Sequence, residues 1–381
     1  MKEKVYFPGF NGLRFIAAVS VVIYHFEAFK IFYDINNWTI RWSPDGEIAV
    51  TLFFVLSGFL ITYLLLTEKQ STENVSIKKF YVRRILRIWP LYYLIVITGL
   101  ICLKFNLFYT PNSLAEINNH FFDKSLLFIF FMPNVASVSF GNILALINHS
   151  WSIGVEEQFY LLWPVFIKYL KKSVSFFIAI FGVLIIYYSL KVFFLTHSLS
   201  PLFYNLYKFL YLTRIQCMAI GAIGAYIIFF KNNFIIKIIT NGFFQIVLYA
   251  FMFYFYIVQP DLKVFNYLTH EIHAILFCLI IMTLNFNRIA LKVLENRALN
   301  FLGKISYGIY MFHPIILIFE YNFIKHYVDT SQINIWGNIF LHILTITLTI
   351  ATASASYYFY ENKFLKLKYN FSKILSGDLA K

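Results

Sequence analysis

Long apolar runs separated by short polar hinges make up almost the whole chain. About 20 apolar residues suffice to cross a bilayer as a helix. Ten such runs can be placed, at 11–33, 48–66, 85–105, 154–170, 173–195, 210–230, 238–258, 271–287, 305–325 and 335–359. An eleventh stretch, 126–132, is too short to cross and reads as interfacial or re-entrant. The fourth run is the least regular, because it is short and starts with Glu156 and Glu157. The pattern predicts an all-α fold, a polytopic membrane helix bundle of about ten transmembrane helices.

Charge tests that count independently. With the N-terminus inside, Lys78, Lys79, Arg83, Arg84 and Arg87 fall on the inner side, as do Lys168, Lys231, Arg288, Lys304, Lys363 and Lys366. Cytoplasmic loops of membrane proteins carry this excess of Lys and Arg. Both termini are therefore expected in the cytoplasm. The longest region that does not span, 106–153, is expected outside. No repeat and no low-complexity linker divides the chain, so residues 1–381 read as one membrane domain, with a core over 9–364 and a basic cytoplasmic tail over 365–381. The first apolar run carries Arg14 and His25 and is too long for the hydrophobic region of a cleaved signal peptide.

Composition narrows the class. The chain is 60% hydrophobic, 21% aromatic and 13% charged, against about 25% charged for ordinary soluble domains. A soluble enzyme, a disordered tail and a nucleic-acid binder all fit poorly, and the +14 net charge is accounted for by the loop bias. Cys102, Cys217 and Cys278 each lie in an apolar run, and an odd, widely spaced set is neither a disulfide framework nor a zinc ribbon.

Ionisable groups inside a bilayer are expensive and mark function by default. Arg14 and His25 lie eleven residues apart on the first helix. That is close to three turns, so they share a face about 16 Å apart along the axis. For Arg14 the competing reading is a snorkelling anchor, and for His25 a helix–helix hydrogen bond. A neutral histidine in a dry site also serves as a general base. Arg84 and Arg87, three apart, share a face at the cytoplasmic boundary, where guanidinium grips phosphate and also simply anchors a helix. Glu156 and Glu157 point about 100° apart, so at most one faces a given pocket well. A carboxylate near His25 would hold its tautomer.

Weaker candidates are Ser57 and Gly58, small residues suited to close helix packing, and Arg214, which needs a partner or a cavity. His313, before Pro314, is open between a structural and a functional part. His270, Glu271 and His273 form H-E-x-H rather than the metal-binding H-E-x-x-H, so no metal is assigned.

At these residues the chain resembles the membrane acyltransferase-3 family, bacterial enzymes that O-acylate surface sugars and some small molecules. The matching segments are FNGLRFIAAVSVVIYHF, FFVLSGFLI, FYVRRILRIWPLYYL, WSIGVEEQFYLLWP and LGKISYGIYMFHPIIL, ending with YFYENKF, in the family's order from residue 9 to about 364. The family's Arg-x10-His pair falls on Arg14 and His25, its Arg-x-x-Arg pair on Arg84 and Arg87, and its W-S-x-x-x-E on Trp151, Ser152 and Glu156.

The resemblance implies an acyl-coenzyme A donor, most often acetyl-CoA, reached from the cytoplasm. It implies transfer to a hydroxyl of a surface polysaccharide, such as an O-antigen, or of its lipid-linked precursor, with the enzyme in the bacterial inner membrane among lipids. Arg14, Arg84 and Arg87 would bind the donor. His25 would be the base, with Glu156 ahead of Glu157 as its partner. Some relatives carry a further hydrolase-like domain. With the chain ending at Lys381, transfer is expected to be completed by the membrane domain or a separate partner. The family often ends Glu-x-Pro, whereas Glu361 here is followed by Asn362 and Lys363, which leaves the cap of the last helix open. A polysaccharide flippase is the competing class. It typically shows internal repeats with broken helices, and none is visible here.

Overall fold

The computed structural model describes residues 4–32, 44–110, 114–141, 144–170, 173–258, 268–328, 333–372 and 374–376. The description begins with β1 (Lys4–Val5), α1 (Phe10–Phe32), α2 (Gly46–Thr72) and α3 (Ile77–Lys104). The segment expected outside forms short helices, α4 (Leu114–Asn118), α5 (Phe121–Ile129) and α6 (Pro133–Phe140), then a 3-10 turn at Asn148–Ser150. The apolar stretch 126–132 lies across the end of α5 and does not span. Next come α7 (Trp151–Tyr169), α8 (Ser173–Thr196), α9 (Pro201–Thr213), α10 (Ile215–Phe229), α11 (Asn233–Ile239) and α12 (Gly242–Val258). The remainder is α13 (Thr269–Leu284), α14 (Arg288–Leu294), α15 (Arg297–Lys304), α16 (Ser306–Tyr327), α17 (Ile335–Ser356), α18 (Asn362–Lys368) and β2 (Leu375–Ser376).

Over the described residues each of the ten apolar runs is mostly helical, with 210–230 broken at Arg214 and 238–258 broken between α11 and α12. Among the described residues, six helices are long and apolar enough to cross a membrane, or nine if three bent pairs each count once. The Trp151–Tyr169 helix is not among them, being interrupted by Glu156 and Glu157. The bends, of 66°, 98° and 65°, fall between α11 and α12, α13 and α14, and α15 and α16. The outer surface is apolar: Leu161, Leu162, Ile178, Ile185, Phe253 and Phe340 are all well exposed. So much bare hydrocarbon belongs in lipid rather than water. The chain is a polytopic helical membrane protein.

Two features set the bundle's geometry. First, α2 and α10 touch backbone to backbone. A Cβ at Gly58 would lie 2.0 Å from the Met218 carbonyl oxygen, and one at Gly221 would lie 2.2 Å from that of Val55. Small residues on both faces permit this approach, which is how helices gain packing energy in membranes. Second, the ends of the described chain meet: β1 pairs in parallel with β2, Lys4 opposite Leu375. The last helix has no cap at Glu361. With no proline after it, α17 runs through a π turn at Tyr357–Glu361 directly into α18.

Candidate active site

Two cavities enter the bundle and share a wall. One, of about 160 Å³, is lined by Arg14 of α1, Ser57 of α2, Arg84 and Arg87 of α3, and Glu156 and Tyr160 of α7, at the end of the bundle that holds β1. The other, of about 340 Å³, is lined by Tyr24 and His25 of α1, Glu47 of α2, and His149 and Trp151 at the start of α7. Val50 and Tyr310 line both. Arg14 and His25, on one face of α1, thus open into different cavities on either side of Tyr310.

In the histidine cavity, His25 Nδ1 lies 2.9 Å from His313 Nε2, the rings nearly parallel at 4.9 Å. His313 Nδ1 lies 2.7 Å from the Tyr310 carbonyl oxygen. That carbonyl is available because Pro314, four residues on, has no N–H to give it. A carbonyl only accepts, so His313 donates through Nδ1 and a neutral His313 accepts at Nε2. His25 must then donate through Nδ1, which leaves its Nε2 bare. The local sequence, Tyr-x-x-His-Pro, thereby acts on the tautomer of a histidine on another helix, alongside the Val21 carbonyl of that histidine's own helix.

Buried His149 adjoins this pair, its ring 5.2 Å from that of His313. Neither of its ring nitrogens makes a hydrogen bond of normal geometry, although the Met311 carbonyl is close. The Tyr310 hydroxyl donates to the His149 carbonyl at 2.8 Å and lies 2.7 Å from Ser152 Oγ. These bonds pin the partition between the cavities.

The arginine cavity holds an excess of positive charge. Arg84, Arg87 and Glu156 are charged neighbours of Arg14. The Arg84 guanidinium lies 5.5 Å from the Phe80 ring and 5.7 Å from that of Tyr160, and its Nε has no hydrogen-bond partner. Arg83, the remaining arginine of the run, turns away to Glu68 at 2.9 Å. Glu156 accepts from Ser57 Oγ and from the Tyr160 hydroxyl, both at 2.9 Å.

The expected contact between Glu156 and His25 is not made; His313 holds that place. The reason is helical rise. From His149, in the 3-10 turn, to Glu156 on α7 is seven residues, about 10 Å of helical rise, which carries the carboxylate past Tyr310 into the arginine cavity. Glu157 points elsewhere, accepting from Trp89 Nε1 at 3.2 Å. Buried Lys368 on α18, whose charged neighbours are Arg14, Arg83, Arg84 and Arg87, also belongs to this end. Sequence reasoning did not single out His149, Tyr310 or Lys368. Tyr310 and His313 were detectable as an i, i+3 pair before a proline; His149 and Lys368 gave no signal.

Beside the histidine cavity, Arg214 sits at the break between α9 and α10 with φ +43°. It is fully buried and lies 2.6 Å from Glu47 Oε2, with its guanidinium 5.2 Å from the Trp151 ring. Arg214 has therefore found both a partner and a cavity edge.

A cationic cavity thus lies back to back with a histidine cavity inside a membrane helix bundle. The family is explicit: residues 7–354 match the acyltransferase domain of the acyltransferase-3 family, and the chain belongs to it. The O-acetyltransferase OatA of Staphylococcus aureus strain NCTC 8325 is 27% identical over 364 residues, 89% of this chain and 55% of the relative. SACOL0978, a provisionally named O-acetyltransferase of S. aureus strain COL, is 28% identical over 392 residues, 96% of this chain and 58% of the relative. The chain thus spans a little over half the length of these curated relatives. No solved structure matches.

Proposed function

We propose that this chain is an O-acyltransferase that moves an acyl group, most often acetyl, from cytoplasmic acyl-CoA to a hydroxyl of a surface glycan or its lipid-linked precursor. It would act in the bacterial cytoplasmic membrane with ten spans and both ends in the cytoplasm. One observation carries the reading: Tyr310 and Val50 are common to the arginine cavity and the histidine cavity. Only the Tyr310–Val50 partition then separates the thioester of a donor held by its phosphates in one cavity from an acceptor in the other, and transfer requires that partition to move aside. The pairing of β1 with β2 supports ends on a shared side, and the basic loops support the cytoplasmic one.

In this reading Arg14, Arg84 and Arg87 take the donor's pyrophosphate, for which guanidinium is well shaped. The acceptor oxygen attacks the thioester carbonyl carbon while its proton passes to His25 Nε2. A free hydroxyl is a poor nucleophile at neutral pH, so a positioned base is required. His313 stabilises the resulting imidazolium through their shared hydrogen bond. Collapse of the tetrahedral intermediate breaks the carbon–sulfur bond, and the proton on His25 returns to the departing thiolate. Glu156 acts from the donor side, holding Ser57 and Tyr160 in the wall. An enclosed site also keeps water from the thioester.

The test is transfer of label from acetyl-CoA carrying a radioactive acetyl group to envelope glycan by the purified protein in lipid nanodiscs, with mass analysis of surface glycans from cells with and without the gene. Labelled glycan and released CoA are expected. Arg87→Lys should weaken acetyl-CoA binding about tenfold, the scale of one charge-assisted hydrogen bond. Glycan movement without CoA release would favour a transporter and overturn the reading.

A further inference from the structure

The inner end carries more buried positive charge than a pyrophosphate needs. Lys368, the last residue of α18, is buried to 8% exposure, with Arg87, Arg84, Arg83 and Arg14 as its charged neighbours. It lines a narrow cleft of about 20 Å³ with Arg83, Arg84, Glu68 and Ser372, and this cleft shares Ile61, Leu64 and Arg84 with the arginine cavity. The carboxylate within the cleft is already engaged: Glu68 pairs with Arg83 Nη2 at 2.9 Å and accepts from the Ser76 backbone N–H at 3.0 Å.

An ammonium buried among guanidiniums is costly unless an anion joins them. The segment is also held down deliberately. Arg83 donates to the Phe371 carbonyl at 3.1 Å, the Ser372 hydroxyl donates to the Lys368 carbonyl at 3.0 Å, and β2 pairs with β1 just beyond. A loose basic tail would instead leave its lysine in water.

We propose that Lys368, with Arg84, forms a subsite for a phosphate monoester, filled by the 3′-phosphate on the nucleotide end of the donor. This rests on the acyl-CoA reading above. Coenzyme A carries two anionic groups, the pyrophosphate and the ribose 3′-phosphate. Two adjoining cationic positions sharing Arg84 suit that pair in charge: the pyrophosphate lies with Arg14 and Arg87, and the monoester with Lys368, whose narrow cleft widens to admit it. Lys suits the second place as a compact point charge, and Arg the first as a planar fork.

The experiment compares the affinity of the full chain in lipid-free detergent for CoA and for 3′-dephospho-CoA. The wild type should bind CoA about tenfold more tightly. Lys368→Met, which keeps the apolar stem, should bring CoA down to the dephospho-CoA level and leave dephospho-CoA unchanged. That unchanged affinity also reports an intact fold. Lys368→Arg should restore part of the preference. Equal weakening of both nucleotides, or no wild-type preference, would overturn the subsite. In the latter case, phosphatidylglycerol binding that is lost in Lys368→Met would identify a lipid phosphate as the occupant. A wild type that binds neither nucleotide would sink the donor reading itself, a separate failure.

Discussion

His25 and His313, 288 residues apart in sequence, share a hydrogen bond of 2.9 Å between imidazole nitrogens. Backbone carbonyls set its direction: His313 Nδ1 meets the Tyr310 carbonyl that Pro314 leaves free, and the Val21 carbonyl lies beside the His25 ring. On this account His25→Ala abolishes transfer with normal expression and donor binding. His313→Ala lowers kcat by about 10²-fold, toward the usual worth of a positioned base. His313→Gln, whose amide oxygen still accepts from His25 Nδ1, retains more activity than alanine. A purely structural His313 would show loss of folded protein rather than this rescue. Pro314→Ala restores the helical donor to Tyr310, leaves the His313 tautomer to the Ile309 carbonyl alone and lowers kcat. It also removes the cost of a mid-helix proline, up to about 3 kcal/mol. Lower activity in a protein no less stable, read from acetyl-transfer rate and melting temperature together, is the expected signature. An active His25→Ala enzyme sinks the mechanism.

Glu156 and Glu157 divide by what they touch. Glu156 holds two hydroxyls in the wall of the arginine cavity, whereas Glu157 holds one indole. Glu156→Gln is expected to lower kcat at least about tenfold, since losing charged hydrogen-bond acceptance costs on the order of 1.5–3 kcal/mol. It should not weaken acetyl-CoA binding, because it adds to the cavity's positive charge. Glu157→Gln should do less. The opposite order in steady-state kinetics would move the functional carboxylate to Glu157.

The expected residues stood out where polarity is costly. Arg14, His25, Arg84, Arg87, Glu156 and Arg214 interrupt apolar helices, and every one lines or borders a cavity. His149 and Lys368 lie in a loop and a basic tail, where polar residues are ordinary, so nothing in the chain marked them. Lys368 reads as tail yet is buried. The spans were legible as apolar length, but the three bends and the break at Arg214 were not, because hydropathy carries no information on backbone direction. The partnership of His25 was misread as a carboxylate's because the offset between α1 and α7 depends on packing.

The paired strands make the topology testable. Single cysteines replacing Lys78 and Lys366 should be protected from an impermeant maleimide in intact cells, and one replacing Asp45 should label. Asp45 caps α2 through bonds to the backbone N–H groups of Glu47 and Ile48, so Asp45→Asn/Lys78→Cys serves as a folding control for that end. Labelling of Lys78→Cys or Lys366→Cys from outside would invert the map and place the arginine cavity on the wrong side for a cytoplasmic donor.

The ion pair beside the histidine cavity should break asymmetrically. The Arg214 side chain is fully buried, whereas that of Glu47 is 47% exposed. Removing the carboxylate strands a buried guanidinium, whose remaining neighbours are the Glu47 carbonyl at 3.2 Å and the Trp151 and Tyr211 rings. Breaking a buried pair costs on the order of 3–5 kcal/mol; with one partner wet, the lower end or less applies. Arg214→Met removes the buried charge and keeps much of the volume, while the remaining carboxylate stays hydrated. Glu47→Ala should therefore lower the melting temperature in detergent more than Arg214→Met does. The double variant should recover part of what Glu47→Ala loses, since it no longer buries an unpaired charge. If Arg214→Met proves the more damaging single change, the aromatic stacking of Arg214 outweighs its charge, and Glu47 contributes little to holding the mouth of the cavity together.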